Sequence, residues 1–223
     1  MYKYVVLFCL VAVSFSCKTS KKQEIKTQEI INTLKEVREI EKEADKKATQ
    51  LLFTAYGDAQ FGMTREEAMK TEIAKDAHIL SDGSIYLDYK QRKIGSTSYS
   101  IIEFLFYENY LFQVNFEGSP IKDSEYNTTL KKEFEELKDI ISVNYGEPEY
   151  LKFPKKEELG SESVCACAWR YTTKLISITI KKSSLQGNCE IDMYISYLPA
   201  LDAIEKGTKI NREDMLKENA KKF

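Results

Sequence analysis

Histidine is nearly absent from this sequence: His78 is the only one in 223 residues. A multi-histidine metal centre is therefore excluded, and imidazole chemistry near neutral pH has little to work with. Tryptophan occurs once and proline four times. There is no excess of charge of one sign, since 33 Lys and Arg face 35 Asp and Glu. The formal −2 that results offers no general attraction to nucleic acid, and no nucleic-acid partner is expected. The apolar run Val5–Val13 has nine residues, well short of the roughly 20 that span a bilayer. A Gly-rich phosphate loop, a Gly-x-Ser-x-Gly elbow and an HExxH helix are all missing. No catalytic, metal or cofactor site is read here, and the chain is expected not to be an enzyme.

What is present has the balance of a globular protein, with 43% hydrophobic and 30% charged residues, and 14 Tyr and 11 Phe. The opening residues follow the layout of a secretory signal peptide: Lys3, then Val5–Val13, then small residues before a cysteine. The stretch Ser14-Phe15-Ser16-Cys17 resembles the lipobox of bacterial lipoproteins, departing from its commonest form by lacking Leu three residues before the cysteine. The resemblance implies a signal peptide over 1–16, acylation of Cys17 and attachment to the cell envelope through that lipid. Lys18 rather than Asp in the second position points to the outer membrane of a double-membraned cell. Several acyl chains hold firmly, because each buried methylene contributes about 0.8 kcal/mol. Lys18, Lys21 and Lys22 add attraction to anionic headgroups.

Cysteines are few. Of five, Cys9 lies in the leader and Cys17 takes lipid, which leaves Cys165, Cys167 and Cys189. An exported compartment permits disulfides, but three is an odd number. In a strand, residues i and i+2 share a face, so Cys165, Cys167, Trp169 and Tyr171 are expected to point together, and Cys189 with Ile191, Met193 and Ile195. Three readings stay open: a disulfide from Cys189 to Cys167 or to Cys165, buried free thiols, or a soft-metal site of three thiolates. The first and third strands of a meander lie about 9.6 Å apart, beyond disulfide reach, so a bridge requires Cys189 in a loop or another strand order.

Lys21–Phe53 contains no Gly or Pro and is rich in Glu, Lys and Gln. Ile30, Leu34, Val37, Ala44, Ala48, Leu51 and Ala55 fall at steps of three and four, apart from the gap that Glu41 fills, which predicts a long helix with one apolar stripe. Residues 17–55 are thus read as anchor and helical stalk. Thr64 with Glu67 makes a capping box, predicting a helix to about Lys75. Alternation then predicts strands over Ile85–Tyr89, Tyr99–Tyr107 and Tyr110–Phe116, with turns at Asp82-Gly83 and Asn109. A second helix runs from Thr128 to a Gly146 cap, carrying Leu130, Phe134, Leu137, Ile140, Ile141 and Tyr145. Strands follow over Val164–Tyr171, Leu175–Lys181 and Cys189–Tyr197. A short helix, Ala200–Lys206, ends at Gly207, and Asn211 caps a last helix or tail over 208–223.

The fold class expected is α+β: two consecutive helix–three-strand antiparallel units forming a helix-on-sheet layer, preceded by the long N-terminal helix. The domain covers 56–207, its halves 56–118 and 126–198. Phe61-Gly62-Met63-Thr64-x-x-Glu67 and Tyr145-Gly146-x-Pro148 resemble the outer-membrane assembly lipoproteins of the SmpA/OmlA type and the β-lactamase-inhibitor-protein-like fold over about residues 56–198. That resemblance implies a binding or assembly module with an envelope protein as partner. Tyr86, Tyr99, Tyr107, Tyr110 and Tyr194 cannot all fit inside, so an aromatic sheet face is expected to be available. The rival is a small-molecule-binding protein or hydrolase with a pocket in the sheet concavity lined by Asp88, Glu103 or Glu190. Trp169 is expected in the core, His78 at the surface, and Glu133, Glu135 and Glu136 on the solvated side of the second helix.

Overall fold

The computed structural model describes residues 36, 39, 42–87, 92–160 and 162–207. Cys17 and the leader, most of the stalk, Asp88, Tyr89 and the tail from 208 lie outside them. The chain divides into two compact units, Met1–Ala48 and Thr49–Phe223. In the first, residues 36, 39 and 42–48 are helical, and 42–47 are exposed, Ala44 of the expected stripe included.

The second unit opens on helical residues 49–53 (α1), in which Leu52 rather than Leu51 is buried. A small ribbon follows, β1 (Thr54–Tyr56) with β2 (Ala59–Gln60). Thr64 makes its capping box with Glu67, but the helix it starts, α2, covers only Arg65–Ala68. The expected continuation to Lys75 fails because the Asp58 carboxylate accepts the N–H groups of Glu72 and Ile73 and starts a separate 3₁₀ turn there.

Then come β3 (Ala77–Ile79), β4 (Ile85–Leu87), β5 (Arg92–Ile94), β6 (Thr97–Tyr107), β7 (Tyr110–Gly118) and β8 (Ile121–Lys122). Glu108 and Asn109 both take positive φ between β6 and β7, the requirement of a two-residue type I′ hairpin turn. Helix α3 covers Lys131–Tyr145 after a π-helical turn, and Gly146 caps it at φ 75°. The last elements are β9 (Tyr150–Leu151), β10 (Val164–Tyr171), β11 (Lys174–Lys182), β12 (Asn188–Tyr197) and α4 (Leu198–Glu205). The five long strands β6, β7, β10, β11 and β12 fall within a few residues of their expected bounds, whereas β3, β5, β8 and β9 were not expected. They are two or three residues long, too short for alternation to register.

The domain is mixed α/β, with a few helices and one large antiparallel sheet in the order β3-β4-β6-β7-β12-β11-β10-β9; β5 pairs with β6 and β8 with β12. Register shows how a core forms. Ile85, Phe104, Val114, Ile195, Ile176 and Trp169 stand side by side across six strands, all buried. Helix α3 contributes Phe134, Leu137 and Ile141 to the same cluster, while Ile140 is 37% exposed. Trp169 is 2% exposed, as expected of its large apolar area, and its Nε1–H donates to the Gly146 carbonyl at 2.9 Å.

Candidate functional site

Strand alternation sends the residues between the core positions to the opposite face of the sheet. Tyr86, Glu103, Asn115, Tyr194, Ser177 and Ala168 form one cross-strand row there, all half-buried, with exposed Tyr150 at its end. An antiparallel sheet with one face on a core and one towards solvent has this pattern. Side chains along the row are tied down: Ser84 Oγ donates to Glu103 at 2.9 Å, and Gln113 Nε2 to Asn115 at 2.5 Å. Of the five tyrosines that could not all fit inside, Tyr99 is in the core at 2% exposure, while Tyr86, Tyr107, Tyr110 and Tyr194 are half-buried.

At one end of this face is a polar cleft of 520 Å³ lined by Glu117, Gly160, Lys181, Lys182, Ser183, Ser184 and Glu190. Three strands build it. Lys181 lies opposite Glu190 in the β11–β12 ladder, and β7 ends beside them with Glu117. Lys181 Nζ sits 2.7 Å from Asp192, 3.4 Å from Glu190 and 3.9 Å from Glu117. Three carboxylates thus surround one ammonium. The Asp192 and Glu190 side chains are 2% and 4% exposed, which makes this a largely desolvated cluster. Burial alone would lower the Lys181 pKa, but the hydrogen bond to Asp192 and the three negative charges outweigh it and raise it. Glu117 is pushed up, first by burial and then by Glu190 and Asp192 against the pull of Lys181. Ser183 Oγ donates a short hydrogen bond to Glu190.

The cysteines do not meet. A β-bulge steps the register so that Cys165 stands opposite Thr179 and Cys167 opposite its neighbour Ile178. Adjacent residues of β11 face opposite ways, so Cys165 and Cys167 no longer share a face, contrary to the plain i, i+2 expectation. Cys189 shares the core side with Ile191 and Met193 as expected, and all are buried. It lies opposite Lys182, with β11 between it and β10, and all three thiols are free. Cys189 Sγ donates to Asp123 at 3.0 Å. Burial lifts all three thiols, Cys167 to about 12 and Cys189 to about 11, so none has the thiolate character that redox or metal chemistry needs. Among the described residues no group of His, Cys, Asp and Glu is arranged to hold a metal ion. His78 is exposed on β3; of the three glutamates of α3, Glu135 is exposed while Glu133 and Glu136 are half-buried.

Glu190 was among the residues expected to line a pocket; Lys181, Asp192 and Glu117 were not singled out. Each reads alone as an ordinary outward position of its strand, and only the β7–β12–β11 pairing assembles them. Comparison of the chain with protein-family models, curated proteins and solved structures gives no match.

Proposed function

We propose that this chain is a membrane-anchored lipoprotein of the bacterial envelope, held through lipid on Cys17, more in keeping with the outer than the inner membrane. Its role is that of a non-enzymatic binding or assembly module that presents the open face of its sheet to another envelope protein. The observation that carries the reading is the half-exposed row Tyr86–Glu103–Asn115–Tyr194 with the charged cleft beside it. Tyrosines supply large contact area at low entropic cost, and a cleft that carries both glutamates and lysines suits a partner segment with charges of both signs. The likeness to SmpA/OmlA-type lipoproteins is part of this proposal, as are two helix–three-strand halves behind an N-terminal helix. The strand order supports the halves: β4, β6 and β7 lie on one side of the junction between β7 and β12, and β12, β11 and β10 on the other.

A photo-crosslinking residue at Tyr194, in the lipidated chain in its own membranes, should give a discrete adduct. The same residue at Val143, 84% exposed on α3, should not. Equal labelling from both positions, or none from Tyr194, rejects the sheet face as the contact. Cys17→Ser should leave the membrane fraction; if it stays, the anchor is misassigned.

The cleft favours a second reading, a small-molecule-binding protein or hydrolase in which Glu190, Lys181 and Ser183 contact the ligand. That reading predicts that Glu190→Gln abolishes ligand binding or turnover while the Tyr194 adduct persists.

A further inference from the structure

Among the described residues one lysine of the sheet is fully buried, and no carboxylate pairs with it. Lys174, the first residue of β11, is 2% exposed. Its Nζ lies 2.6 Å from the Thr54 carbonyl, 3.2 Å from the Leu51 carbonyl and 2.7 Å from the Tyr145 hydroxyl. Phe61 lies against it, its ring centre 6.0 Å from Nζ. Among the described residues the ionisable groups facing the amine are three tyrosines: Tyr145 of α3, Tyr171 of β10, whose ring is 5.6 Å from that of Tyr145, and Tyr197, opposite Lys174 on β12. Tyr145, the one in hydrogen-bond contact with the amine, is pushed up to about 12 by burial and so brings no negative charge near neutral pH.

This geometry serves an uncharged amine as well as a charged one. An ammonium has three donors for the three oxygens. A neutral amine keeps two for the carbonyls and offers its lone pair to the Tyr145 hydroxyl, which can donate as readily as accept. Hydrogen bonding therefore does not decide between the forms; solvation does. The end of helix α1 and the Tyr145 and Phe61 rings, 4.9 and 6.0 Å from Nζ, favour a cation. Taking an unpaired charge out of water costs more than these return. Burial accordingly brings the amine down to about 7.

The two carbonyls belong to the junction between α1 and β1, and β1 pairs only with β2, outside the main sheet. We propose that Lys174 is a proton-operated latch, which holds the Leu51–Thr54 junction against the sheet while its amine is neutral and releases it when a proton from water adds to Nζ. The charge gains its hydration only if the junction swings away, and that segment is outside the large sheet. In the closed state the amine titrates near 7, and in the open state near the ordinary lysine value, about 10.4. Linkage between these values makes the open state about tenfold more populated at pH 6 than at pH 8. The latch goes beyond the binding role proposed above and does not depend on it.

Amide hydrogen exchange of the full chain tests it. After correction for intrinsic exchange, protection over 49–56 should fall about tenfold between pH 8 and pH 6, with β12 amides as the unchanging reference. Lys174→Met should abolish the pH step. A pH-independent junction in the wild type, or the same step in Lys174→Met, overturns the proposal. Should that variant fail to fold, ¹³Cε-lysine NMR of the wild type decides. One lysine titrating near 7 together with the loss of protection supports the latch, and all lysines titrating above about 10 reject it.

Discussion

The amide of Gly118 donates to the Asp192 carboxylate at 3.0 Å, and it does so with the β12 backbone pressed directly against its Cα. A Cβ at this position would run into the carbonyl of Ile191 and lie 2.9 Å from its nitrogen. The same carboxylate lies 2.7 Å from Lys181 Nζ, so a glycine with no unusual φ anchors one member of the charged cluster.

Gly118→Ala should therefore destabilise through overpacking of backbone on backbone, by about 1–3 kcal/mol. For a chain of this size that corresponds to a fall in Tm of roughly 2–12 °C. Thermal melting followed by circular dichroism measures it, and an unchanged Tm would show that the strands separate freely at this point.

Lys181→Ala leaves Glu117, Glu190 and Asp192 without their shared cation. The loss at pH 7 should be about 3 kcal/mol, the lower end for breaking a buried ion pair, because the site opens to a cleft. Glu117, already pushed up by burial and by its carboxylate neighbours, loses the lysine that pulled it down. The folded state then binds more protons, so the variant should recover stability as pH falls towards 5, opposite to the usual acid trend. Urea melts at pH 7 and 5 decide; a parallel loss at both denies the electrostatic origin.

Asp123 joins three segments. It accepts from Cys189 and Lys182 and pairs with Lys156 at 3.4 Å. The Cys189 and Lys182 hydrogen bonds, with the Lys156 charge, hold its carboxyl down at about 2. A depressed carboxyl contributes stability above its unfolded pKa of about 3.9, lost as pH falls through the folded value. Asp123→Asn should thus lower Tm near pH 6 and flatten the decline of Tm between pH 4 and 2. An equally steep acid limb in the variant would assign that decline elsewhere.

Thiol accessibility should follow the bulge. Cys165 is half-buried and Cys167 and Cys189 fully buried, so alkylation of the native chain should modify Cys165 first. The other two should react only on unfolding, and peptide mass mapping reads the order. Fast modification of Cys189 would contradict its contact with Asp123.

The extent of legibility differed by element. Strands β6, β7, β10, β11 and β12 and helix α3 were readable because each is long enough for its period to repeat several times, 2 in a strand and 3.6 in a helix. The capping box at Thr64 was readable as a start, but not the point where α2 stops, because Asp58, distant in sequence, sets it. Cys165 and Cys167 show the same limit at single-residue scale. Their spacing argues for one face, and a bulge decided at the β10–β11 pairing sends them to two.

By itself the sequence determined the apolar run before Cys17, the elements long enough to show their period, the burial of Trp169 and the exclusion of a site built from several histidines. Those are properties of composition and local spacing, which the chain carries unfolded. Tertiary structure alone decided that Lys181 would be shared by Glu117, Glu190 and Asp192, and that Lys174 would point its amine at Leu51 and Thr54. Both depend on which strands become neighbours and in what register, and therefore on contacts between residues as much as 123 positions apart.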